Sequence, residues 1–285
     1  MKHGTVYLAA YLSSKRDRHR NCQIEPDNFD YIKEYCRSIE LNGLKSIIIV
    51  DECSSKFIKS HTIKITKPEY GETYRKNNAE IRFKKIDRSR FTDNALYDKI
   101  HLHDERFYYL YDVIASISES EAEYYMLTDI SDVEILNPVE EVINVDPNKL
   151  YIGRENETID ENKWFTHYMN ELNWLQDEYN DGRSLLETDV QAEREEEFRS
   201  VFGSRTLLNC GALYGHRDIL LEFLGRVLMI MNVVYAKQDV PRPLDMLVFN
   251  YVAYRYYKDR LYMGTTLTTR FGYEEYDTTK ALKHK

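Results

Sequence analysis

Tyr124-Tyr-Met-Leu-Thr-Asp-Ile-Ser-Asp-Val-Glu134 is the stretch on which the fold turns. Its apolar run, Tyr124 to Leu127, has the length of a strand. It leads into Asp129, with a second carboxylate at Asp132. In open α/β sheets, ligands collect beyond the carboxyl ends of the strands. Mg²⁺ and Mn²⁺ take oxygen ligands and often bind through one or two carboxylates plus substrate phosphates. A strand that delivers two carboxylates to its end therefore suits a divalent metal and a diphosphate. The simpler alternative is that Asp129 or Ser131 caps a following helix, the commoner role of an isolated Asp-x-x-Asp.

Outward from this stretch, strands and helices alternate. Val6-Tyr-Leu-Ala-Ala-Tyr-Leu12 is a strand candidate. Residues 29–41 carry Phe29, Ile32, Tyr35, Cys36 and Ile39 at helical spacing and end at Asn42-Gly43, a C-cap signal. Ser46-Ile-Ile-Ile-Val50 is a continuous β-branched run, as in a parallel strand covered on both faces. Thr62-Ile-Lys-Ile-Thr66 alternates like a peripheral strand. A helix opening at His103 or Asp104 runs to about Ser118. This succession predicts an α/β fold with a mostly parallel, doubly wound sheet flanked by helices. Downstream, residues 149–153 read as a strand and 207–215 as a strand followed by a tight turn. Residues 217–236 and 244–257 read as helices. No repeat or linker interrupts the chain, so residues 1–285 are expected to form one domain.

The 285 residues are 42% hydrophobic, enough for a large core. A net charge of −9 argues against a dedicated nucleic-acid binder. Charge is uneven, however: residues 56–90 hold 11 Lys/Arg against 4 Asp/Glu, with Tyr70, Tyr74 and Phe83 interleaved, while 187–197 is acidic. Such blocks are usually solvated faces. Cys22, Cys36, Cys53 and Cys210 lack C-x-x-C pairing and zinc spacing, as expected of reduced thiols. No run is read as reaching the ~20 apolar residues of a membrane span, and Val6 to Leu12 reads as a strand rather than a leader. A cytoplasmic chain without a transmembrane segment is expected.

Four segments then fall in a telling order: Asp104-Glu-Arg-Phe-Tyr-Tyr-Leu-Tyr-Asp112; Leu127-Thr-Asp-Ile-Ser-Asp-Val133 with Asn137-Pro138; Leu208-Asn-Cys-Gly-Ala-Leu-Tyr-Gly215; and Asp245-Met-Leu-Val-Phe-Asn250. Together they resemble the glycosyltransferases of the GT-A fold, nucleotide-sugar-dependent enzymes with a metal-binding acidic motif. The first is similar to the helix whose Asp and Arg lie beside the donor. The second is similar to the "tDxxDv…nP" acidic motif, and the third to "lNxGxxxG". The fourth is similar to "DQxxxN", with Met246 in place of the Gln. The resemblance covers roughly residues 100 to 260.

The resemblance implies a hexosyl- or pentosyltransferase. It would move a sugar from a nucleotide-diphosphate sugar, a UDP-sugar first, to an acceptor hydroxyl. A carbohydrate or lipid-linked acceptor is favoured; a hydroxylated base in DNA, flipped out of the stack, is the nucleic-acid variant that residues 56–90 motivate. Residues 1–135 would bind the donor and 136–285 the acceptor. Mn²⁺ or Mg²⁺ would offset the charge that develops on the leaving diphosphate. Asp129 and Asp132 would hold that ion, or Asp129 the ribose and water shell, with His284 as a third ligand although chain ends fray. Arg106 would fork to the diphosphate or sugar; its alternative is a surface ion pair with Asp104 or Glu105. Tyr11, Asp104, Asn209 and Gly211 would complete the donor site, the last two as a turn without bulk or as plain turn chemistry. Asp245 is the first candidate for catalytic base or acceptor-binding carboxylate, and Asp189 the second. The loop Ser14-Lys-Arg-Asp-Arg-His-Arg20 would meet the nucleotide or a phosphate-bearing acceptor, or simply be solvated. Two other readings remain: a non-catalytic nucleotide or sugar binder of the same fold, and a nucleotidyltransferase. The latter usually has a Gly-rich, Lys-containing loop where Tyr11-Leu-Ser-Ser14 offers no glycine.

Overall fold

Strand β1 (Thr5–Tyr11) explains the architecture, because its side chains are buried on both faces. Val6 and Leu8 join one apolar layer, and Tyr7, Ala9 and Tyr11 join the other. The structure is a computed structural model that describes residues 4–17, 22–63, 79–88, 99–168, 200–237, 243–264, 266–268 and 277–284. After β1 come β2 (Arg16–Asp17), β3 (Cys22–Gln23), α1 (Phe29–Asn42), β4 (Lys45–Val50), α2 (Ser55–His61) and β5 (Glu80–Lys85). Then follow α3 (Leu102–Ser116), β6 (Tyr124–Thr128), β7 (Val133–Ile135), α4 (Val139–Val142), β8 (Leu150–Thr158) and α5 (Lys163–Tyr168). The remainder is β9 (Thr206–His216), α6 (Arg217–Lys237), α7 (Asp245–Tyr256), β10 (Leu261–Tyr262) and β11 (Leu282–His284).

The main sheet has seven strands in the order β10-β8-β9-β6-β1-β4-β5. β9 alone runs antiparallel to its neighbours; the other pairings are parallel. The chain builds outward from β1 through β4 to β5, then crosses back to lay β6 on the other side of β1. That reversal opens a crevice at the carboxyl ends of β1 and β6, the usual ligand position in such sheets. Helices α3, α6 and α7 cover one face, with Phe107, Phe223 and Phe249 in their core; α1 and α2 cover the other. The α/β class, the mostly parallel sheet and the one-domain organisation are as expected.

Local signals act where they were read. Asn28 accepts the Asp30 N–H (3.1 Å) to start α1, and Gly43 ends it in the left-handed region at φ 63°. Three expectations are corrected. Residues 129–132 lead into β7 rather than capping a helix. Residues 206–216 form one continuous strand, so Asn209 and Gly211 make no turn. Residues 217–236, read as short of a span, form a helix long and apolar enough by length and composition to cross a membrane. Half of that window is buried inside the protein, with Leu220, Phe223, Leu224 and Met231 in the core. Of the peripheral strand expected at 62–66, Ile63 bridges Ile81 and residues 64–66 lie outside the described residues.

Candidate functional site

The site grows from the end of β6. Asp129 continues the ladder, its N–H donating to the Gly211 carbonyl (3.1 Å). Three residues on, Asp132 precedes β7, which leaves the main sheet and pairs antiparallel with β11. The register sets His284 opposite Val133, directly after Asp132. His284 is thus held in a strand and buried, at 2% exposure, rather than frayed. Asn137 fastens this terminal segment, donating to the Thr278 and Lys280 carbonyls (2.8 and 2.7 Å).

Asp129, Asp132 and His284 can each offer one ligand atom, and these atoms lie within 4.8 Å of one another. Two carboxylates and an imidazole make a donor set that could hold a divalent cation. Gly211 tests the fit from the other side. A Cβ there would come 2.4 Å from Asp129 Oδ2 and 2.9 Å from the His284 ring. The glycine is required by this cradle.

Arg106 reaches in from α3. It donates to Asp129 Oδ1 through Nη1, and to Asp245 Oδ2 (3.3 Å) and Cys210 Sγ (3.0 Å) through Nη2. Burial works against its charge, but the neighbouring Asp129, Cys210 and Asp245 outweigh that and hold its pKa above the ordinary arginine value. The surface ion pair with Asp104 or Glu105 is not what it makes among the described residues. Asp245 opens α7 and accepts its neighbour's N–H, that of Met246 (2.9 Å), on Oδ1. Cys210 Sγ lies 3.5 Å from Asp245 Oδ2, and burial pushes that thiol well above its usual range.

Two of the expected donor contacts sit elsewhere. Asp104 is fully buried and accepts from the backbone N–H groups of Leu244 (2.8 Å) and Asp245 (2.9 Å) and from the Tyr235 hydroxyl. It satisfies the orphan donors at the start of α7, so it positions Asp245 and cannot itself touch a donor. Tyr11 is also fully buried; its hydroxyl donates to the Glu25 carbonyl and accepts the Asn28 N–H (3.0 Å). Its ring stacks at 5.3 Å on Tyr31, which does face the crevice. Lys15 is no solvated loop charge, since it pairs with buried Glu105 (3.1 Å). Asp189 and residues 18–20 lie outside the described residues.

Two adjoining hollows share His103, Arg106, Asp129 and Asp132. A narrow one, about 70 Å³, lies between the ends of β1 and β6 beside Tyr31 and Leu12. The other, about 540 Å³, opens toward β8, α5 and α7 and contains Glu155, Glu157, Asn162, Trp164 and Asp245. Glu155 accepts from the Asn209 side-chain amide. Its burial, opposed by that hydrogen bond, raises its pKa above the usual carboxylate value. Glu155, Glu157, His103 and Trp164 were not singled out as site residues; Glu155 and Glu157, two apart beyond Gly153, were the one available signal. No protein-family model matches the chain, and a search of curated proteins finds no match.

Proposed function

We propose that this protein is a metal-dependent glycosyltransferase of the GT-A kind, moving a sugar from a nucleotide-diphosphate sugar to an acceptor hydroxyl. One observation carries the reading: Asp129, Asp132 and His284 converge at the sheet's switch point, where a narrow and a wide hollow meet. Tyr31, at the wall of the narrow hollow, offers a ring face on which a base could stack. The wide one suits a sugar and its acceptor. Mn²⁺ or Mg²⁺ held by the three residues would supply Lewis-acid stabilisation of the leaving diphosphate. Arg106 would share that work through its fork of donors, and Gly211 keeps the approach clear.

The wide hollow is acidic, and Trp164 offers a flat aromatic face. That combination favours a neutral carbohydrate acceptor over a phosphate-rich one, because like charges across an interface are repelled. The test is thermal: UDP with Mn²⁺ should raise the melting temperature, since a ligand that binds only the folded state stabilises it. Asp132→Asn should abolish that response and cut turnover at least ~100-fold, the scale of losing a transition-state charge stabiliser. Full activity in chelator, or a normal Asp132→Asn variant, would refute the assignment.

A further inference from the structure

We infer that Glu155 takes the proton from the acceptor hydroxyl, so that transfer proceeds by a single displacement with inversion. This rests on the glycosyl-transfer reading and goes beyond it, since a retaining enzyme needs no such base. The argument begins with the other carboxylates of the cleft. Asp129 and Asp132 belong to the cation cradle, where they would be ligands rather than bases. Asp245 has both oxygens engaged, Oδ1 by the Met246 N–H and Oδ2 by the Arg106 guanidinium. Glu157 is exposed at the rim and accepts from Asn162 (3.2 Å).

Glu155 differs in two ways. Its Oε1 accepts from Asn209, while Oε2 has no hydrogen-bond partner among the described residues. It is also tied to the cradle by a chain of three hydrogen bonds. The Asp129 N–H donates to the Gly211 carbonyl, the Gly211 N–H to Asn209 Oδ1 (2.6 Å), and the Asn209 amide to Glu155 Oε1. A base must be held firmly relative to the reacting carbon, and this chain fixes the carboxylate relative to the cation site. The titratable groups around it are His284, Glu157 and Asp129. In the step, the acceptor oxygen bonds to the anomeric carbon as the carbon–oxygen bond to the diphosphate breaks. The electron pair leaves with the diphosphate, and the hydroxyl proton passes to Glu155 Oε2.

The experiment uses the full chain with Mn²⁺, water as the acceptor, and UDP-glucose, UDP-galactose and UDP-N-acetylglucosamine as donors. Proton NMR should show the β anomer forming first from the α-linked donor. Glu155→Gln should slow UDP release about 100-fold or more, yet keep the melting response to UDP and Mn²⁺. Sodium azide, a nucleophile with no proton to lose, should restore turnover in that variant and give the β-glycosyl azide. A purely structural role would show no such rescue. First-formed α anomer, near-normal release by Glu155→Gln, failure of azide, or UDP binding without release from any donor would each overturn the inference. A wild-type chain that ignores UDP with Mn²⁺ would instead sink the transfer reading, and this one with it.

Discussion

At the scale of single residues, Gly211 shows how a backbone atom shapes a site. Real Cβ contacts do not fall below about 3 Å, whereas a Cβ here would lie 2.4 Å from Asp129 Oδ2 and 2.9 Å from the His284 ring. Gly211→Ala should therefore push the two apart and weaken Mn²⁺ binding about 10- to 100-fold, as when a ligand's support is lost. Calorimetric titration with UDP present would measure this, and unchanged affinity would exclude the cradle. Glu155 carries a pH signature. Its raised pKa means that the folded state binds its proton more readily than the unfolded one. Its contribution is thus fully present below the ordinary carboxylate range and declines as pH rises through the folded-state value. Glu155→Gln should melt higher than wild type at pH 7, with the difference vanishing in acid; equal melting points at pH 7 would contradict this.

At the scale of elements, α7 is held to the sheet by polar pairs rather than by packing alone. Asn250, fully buried, accepts the Leu208 N–H (2.8 Å) and donates to the Leu208 carbonyl (3.0 Å), acting as a strand neighbour to β9. Asn250→Leu would leave that buried backbone pair without its partner, costing about 1–3 kcal/mol. A matching fall in the urea midpoint would verify it. The other end of α7 needs Asp104, and together the two residues aim Asp245 at the cleft. β11 has a comparable role for His284. Removing residues 281–285 should abolish the Mn²⁺-dependent thermal response and lower the melting temperature. His284→Ala should weaken the response while melting close to wild type, because β11 still closes on β7. Equal destabilisation by the two changes would show that His284 itself, not the strand, holds the tail.

For the whole molecule, the order of strands decides where chemistry can occur. Because β6 returns beside β1, the crevice opens where Asp129 emerges, and helices seal both faces around it. α6 serves that sealing: it combines the length and apolarity of a membrane span with a core position. Phe223, Leu224, Val227 and Met231 are buried in the protein, so the native chain should remain at the bottom of a flotation gradient with phosphatidylcholine vesicles. Flotation would show that the helix leaves its seat.

The strands β1, β4 and β6, the helix α1 and its αL cap were legible in the sequence, because burial on both faces leaves a continuous apolar run and capping is a local exchange of hydrogen bonds. The pair Asp129 and Asp132 at a strand end was legible for the same reason. Tertiary structure alone decided the rest. Asn-Cys-Gly at 209–211 has the chemistry of a turn, yet it lies in a strand, since the glycine answers to side chains that arrive from residues 129 and 284. Asp104 looked like a ligand residue beside Arg106; it caps a helix that begins some 140 positions later. Glu155 became part of the site only when β8 paired with β9 and brought Asn209 to it. Periodicity and caps act over one turn or one strand, whereas these juxtapositions depend on strand order, register and the closing of the tail on β7. No local pattern of residues encodes those separately from the fold.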